Sequence, residues 1–72
     1  MQFKLWVKDD GPIGGFTGVV LVNGQKYRVP LRVVWTQESR NTEPYAETCT
    51  YDSAEEVRAA ARKFVARRFA HV

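Results

Sequence analysis

The dipeptide Asn23-Gly24, set between two alternating apolar runs, constrains this chain more than any other feature. A two-residue type I′ turn needs positive φ at both central positions, and Asn and Gly tolerate that best. The turn predicts a hairpin over Phe16 to Trp35 with a fixed register: Val22 opposite Gln25, Val20 opposite Tyr27, Gly18 opposite Val29, and Phe16 opposite Leu31. Side-chain direction alternates with period two, so these residues share one face, while Leu21 with Lys26, Val19 with Arg28 and Thr17 with Pro30 share the other. The first face is apolar and reads as core. Pro30 falls among the residues whose N–H points away from the hairpin partner, where its missing donor does no harm. A strand on the far side is expected to pair with Leu31 to Thr36, beyond a local bulge or bend.

The flanking segments extend this plan. Gln2 to Lys8 alternates strictly, with Phe3, Leu5 and Val7 on one side and Gln2, Lys4, Trp6 and Lys8 on the other, which predicts a half-buried strand. Asp9-Asp10-Gly11-Pro12 and Gly14-Gly15 form the loop into the hairpin; the ligand spacing of a calcium loop is missing, so turn chemistry explains the two carboxylates. The polar run Gln37 to Pro44 reads as a mobile surface loop and a candidate contact site. Tyr45 to Tyr51 reads as a fourth strand, with Tyr45, Glu47, Cys49 and Tyr51 on one side and Ala46, Thr48 and Thr50 on the other. Neither side is clearly core. Cys49 reads as a small hydrophobe rather than a nucleophile.

Ser53-Ala54-Glu55-Glu56 fits a capping box, and an Ala-rich sequence without Gly or Pro follows to Val72. At 100° per residue, Ala54, Val57, Ala61, Phe64, Val65 and Val72 make one stripe, with Ala60 and Phe69 at its edges and Arg68 inside it. The fold expected is α+β in two layers: a four-stranded antiparallel β-meander with one C-terminal α-helix packed on one face, a single ββββα domain over residues 1–72. Its expected core is Phe3, Leu5, Phe16, Val20, Val29, Leu31, Val33, Val57, Ala61 and Phe64.

Composition excludes several function classes. One cysteine and one histidine, Cys49 and His71, give no internal disulfide framework and no zinc site built by one chain. No cofactor and no metal are expected. No apolar run approaches the roughly 18 residues of a membrane span, and no secretory apolar region opens the chain, so a cytoplasmic protein without a membrane partner is expected. No glycine-rich phosphate loop leads into a helix, and His71 next to the C-terminus has no nucleophile to serve, so the chain reads as no enzyme.

What remains is surface. One helix covers one sheet face, leaving Trp6, Val19, Leu21 and Val34 on the other among Lys4, Lys8, Lys26, Arg28 and Arg32. Trp6, Val19, Leu21, Arg28, Arg32 and Val34 are the candidate protein-binding residues, for a larger complex of host or phage or for a homodimer through this face. Lys4, Trp6, Lys8, Lys26, Arg28 and Arg32 are the alternative set for nucleic acid. Against duplex DNA, eleven basic residues are offset by eight acidic ones and divide between sheet and helix, where Arg58, Arg62, Lys63, Arg67 and Arg68 also suit the helix dipole.

Two resemblances bear on these alternatives. Thr50-Tyr51-Asp52-Ser53-Ala54-Glu55-Glu56, with Ala59, Ala60 and Ala61 after it, resembles the strand-to-helix junction of plant AP2-type DNA-binding domains and, less closely, of phage integrase arm-binding domains. That likeness implies a sheet whose outer face enters the major groove, although the arginine-rich first strand of the AP2 family is not reproduced. In size and layout the chain is similar to small phage-encoded inhibitors of host defence machinery, including some anti-CRISPR proteins. That likeness implies a non-catalytic protein-interaction module that binds a larger assembly, with sheet-face DNA binding as the alternative.

Overall fold

The structure, a computed structural model, describes residues 2–69. It is an α+β fold with antiparallel sheets and one long C-terminal helix: β1 (Lys4–Asp9), the single-turn α1 (Gly11–Gly14), β2 (Phe16–Val22), β3 (Gln25–Arg28), β4 (Arg32–Thr36), β5 (Tyr45–Cys49) and α2 (Ala54–Phe69). The expected end of the helix at Val72, and His71, lie outside the described residues.

The turn forms as its sequence requires, with Asn23 at φ 52° and Gly24 at φ 81°. The register around it follows: Val22 pairs with Gln25, Leu21 with Lys26, Val20 with Tyr27 and Val19 with Arg28. The Val29 N–H still donates to the Gly18 carbonyl at 2.9 Å. β1 adds on the other side, Leu5 opposite Val20 and Trp6 opposite Val19, so the faces read from alternation are the faces observed. In the loop, the Gly11 N–H donates to Asp9 Oδ1 at 2.9 Å and Lys8 pairs with Asp10 at 3.4 Å.

The expected third strand is divided at Pro30. β1, β2 and β3 form one sheet, and β4 with β5 forms a separate two-stranded ribbon. The meander order survives; the continuous four-stranded sheet does not. Phe16 was expected to face Leu31, but it bonds Tyr51 instead, its N–H donating to the Tyr51 carbonyl at 2.8 Å and its carbonyl accepting from the Tyr51 N–H at 2.9 Å. The ladder of β2 is thus passed from Val29 to Tyr51. Pro30, whose ring fixes φ near −65°, turns the chain out at the handover. The Tyr51 hydroxyl donates to the Pro30 carbonyl at 2.8 Å and holds the bend.

Val20, Val22, Val29, Val57, Ala61 and Val65 are the buried core, with Phe3, Leu5, Tyr27, Ala60, Phe64 and Phe69 half-buried against it. Three expected core members differ. Phe16 and Leu31 are half-buried away from the cluster that Phe3, Leu5 and Phe64 pack against, and Val33 is exposed because β4 has left the helix-covered sheet. At the helix start the Glu56 N–H donates to Ser53 Oγ at 3.2 Å, while the Glu56 carboxylate accepts from the Asp52 N–H at 2.8 Å. The cap is the expected box with its return bond one residue earlier.

Burial and alkaline pH meet at Tyr51. Partial desolvation raises its pKa above the ordinary tyrosine value, the nearby Arg32 charge opposes, and Glu56 adds to the rise. A raised folded-state value means that the unfolded chain loses the proton first, so this contribution is full below about pH 10 and is lost as pH rises through the folded value. Tyr51→Phe, which removes the bond to Pro30, is expected to lower stability at neutral pH by about 1 kcal/mol. In urea titrations its deficit against wild type narrows as pH passes about 10; a constant deficit would deny Tyr51 this role.

Candidate interaction surface

The outer face of the three-stranded sheet is built by strand alternation. Core-facing Leu5, Val20 and Val29 send Trp6, Val19 and Arg28 to the opposite side, where the register aligns them in one row across β1, β2 and β3. Lys4, Leu21 and Lys26 form the next row, and Lys8 with Thr17 closes the other end. Trp6 is 49% exposed, and Lys26 Nζ stands 5.7 Å from its ring centroid, within cation–π range. Trp6, Lys8, Thr17, Val19, Arg28 and Leu31 line a shallow groove of ≈ 340 Å³.

Two residues expected here lie elsewhere. Arg32 belongs to the ribbon, where its Nε–H donates to the Thr50 carbonyl at 2.9 Å and its Nη2 pairs with Asp52 Oδ1 at 3.2 Å. With Tyr51, Glu56, Ala59 and Lys63 it lines a depression on the helix side. Its guanidinium ties the ribbon base to the strand–helix junction. Val34 shares Arg32's face of the ribbon and is separated from the Trp6 row. The outer sheet face therefore gathers Trp6, Val19, Leu21 and Arg28 from the protein-binding set, and Lys4, Trp6, Lys8, Lys26 and Arg28 from the nucleic-acid set.

Sequence reasoning missed Val33 and Trp35, which are 60% and 71% exposed. They share the ribbon face opposite Arg32, with Thr48 and Ala46 as their cross-strand partners. Period-two counting carried through Pro30 had placed Val33 with the core. Pro30 marks where that count stops holding, and alternation beyond it does not say which face of β4 is covered.

The loop after β4 is held by its own polar groups: Gln37 Nε2 donates to the Thr42 carbonyl at 2.7 Å and the Ser39 N–H to Thr42 Oγ1 at 3.0 Å. On α2, Arg58, Arg62, Lys63 and Arg67 are exposed, while Arg68 stands over the Tyr27 ring at 5.7 Å. Cys49 is a free, half-buried thiol opposite Arg32 in the ladder. Among the described residues no three His, Cys, Asp or Glu side chains come together as a metal cluster, and no helix is long and apolar enough to cross a membrane. Comparison with protein-family models, with curated proteins and with solved structures finds no match.

Proposed function

We propose that the chain is a small non-catalytic protein-interaction module that docks on a larger protein assembly through the outer face of its three-stranded sheet. The supporting observation is the apolar strip of Trp6, Val19 and Leu21, on the side away from the helix, ringed by Lys4, Lys8, Lys26 and Arg28. A half-exposed indole among cations fits a partner that offers an apolar pocket with an acidic rim. Blocking or bridging an assembly, in the manner of small phage-encoded inhibitors such as anti-CRISPR proteins, needs such a surface and no catalytic group.

Duplex DNA is the second reading, favoured by the four cations on a sheet backed by a helix, the layout of AP2-type and integrase-arm domains. With Arg32 tied to Thr50 and Asp52, the face has fewer cations for phosphates than expected. The test is capture from bacterial lysate with wild type and with the Trp6→Ala, Leu21→Asp double variant, both checked for folding by circular dichroism. A partner retained by wild type and lost by the variant is expected; identical partners in both refute this face. A duplex affinity falling by about 10²-fold between about 50 and 200 mM salt would report about four phosphate contacts, as many as this face has cations, and favour the second reading.

A further inference from the structure

The ribbon carries a second apolar surface, separate from the outer sheet face. Val33 and Trp35 stand on one side of it with Thr48 and Ala46, and no charged side chain shares that face; Arg32 and Glu47 lie on the other. Among the described residues, the two ribbon strands make extensive contacts with no strand or helix other than each other. It also draws the molecule out, to a radius of gyration of 14.7 Å and extents of 47 × 32 × 17 Å, where a compact chain of this length has about 11 Å. A two-stranded ribbon alone in water is marginal.

We propose that a second copy of this chain covers this face, two ribbons packing face to face about a two-fold axis along their midline. The occupant follows from two properties of the face. It is neutral, so packing two copies of it buries no charged side chain of the ribbon strands. It is self-complementary in size at its one uneven row, where Trp35 stands beside Ala46, while the near-isosteric Val33 and Thr48 make a level row next to it. A half-turn about the midline exchanges the strands, which lays each indole over the other copy's Ala46 and each Val33 over the other's Thr48. Its area is small: five residues per strand span about 17 Å. Two such faces fall below the roughly 1,200 Å² of a standard interface, which sets a weak, concentration-dependent dimer anchored by Trp35.

Sedimentation equilibrium from about 1 to about 500 μM tests this, a span that covers weak association. Wild type is expected to pass from monomer to dimer. Trp35→Glu is expected to weaken association at least about 30-fold, the scale of a hot-spot loss. Val33→Asp on the same face weakens it too, and Trp6→Glu leaves it unchanged. In Trp6→Phe, where Trp35 is the remaining indole, emission shifts to the blue as the protein is concentrated. A wild type that stays monomeric, or a Trp35→Glu chain that associates as wild type does, overturns the proposal. Loss of the dimer in Trp6→Glu alone moves the contact to the outer sheet face and overturns it as well. Partner capture by the outer face is a separate readout, so either proposal can fail without the other.

Discussion

Phe64→Ala is expected to melt about 10–20 °C below wild type. Phe64 lies half-buried in a trio of rings, its centroid 6.3 Å from that of Tyr27 and 6.3 Å from that of Phe69, with Phe69 edge-on to Tyr27 at 5.2 Å. Full burial would make the truncation worth about 3–5 kcal/mol; partial exposure brings it to about 2–3 kcal/mol. A chain of this size has about 4–11 kcal/mol in total at about 0.05–0.15 kcal/mol per residue, and each lost kcal/mol lowers its melting point by about 4–8 °C. Both neighbouring rings lose a partner in this variant. A double-mutant cycle between Phe64 and Tyr27 is expected to show coupling of about 0.5–1.5 kcal/mol. A melting temperature within a degree or two of wild type would remove the ring trio from the structural core.

Gly18→Ala is expected to destabilise by about 1–3 kcal/mol, although alanine is ordinarily more favourable than glycine in a strand interior. A Cβ at this position would stand 2.5 Å from Val57 Cγ1 and 3.3 Å from side-chain atoms of both Leu5 and Val29. Val57 and Val29 are almost wholly buried, so neither has free space to move into. Helix α2 approaches the sheet closely here because Gly18 leaves a notch. The diagnostic measurement is the Gly18→Ala cost in a Val57→Ala background, by urea unfolding. There the methyl group meets vacated space, and the cost is expected to fall by about 1 kcal/mol or more. An equal cost in both backgrounds would show that Gly18 is needed for something other than the approach of Val57.

Both experiments probe parts of the fold that were legible in the sequence to different degrees. That Gly18 faces the helix follows from alternation out of Asn23-Gly24. That Val57 meets it closely follows from no local pattern, since it depends on where the helix settles along the sheet. Trp6 on the outer face was readable from its own strand, whereas the row it makes with Val19 and Arg28 depended on the pairing of three strands.

By itself the sequence determined whatever depends on local chemistry. Asn23-Gly24 set the turn and the register of β2 with β3, strict alternation set the faces of β1, and Ser53 with Glu56 set the start of α2. Each rests on neighbours a few residues apart, and each is a matter of positive φ, side-chain period or orphan N–H groups. Tertiary structure decided what happens beyond Pro30. The backbone of Phe16 had two possible partners, and Tyr51, twenty residues past Leu31, took it in place of Leu31. That competition released β4 from the sheet, exposed Val33 and Trp35, and drew Arg32 to Thr50 and Asp52. A residue's burial after a bend is set by which distant segment wins its hydrogen bonds, and a period of two carries no information about that contest.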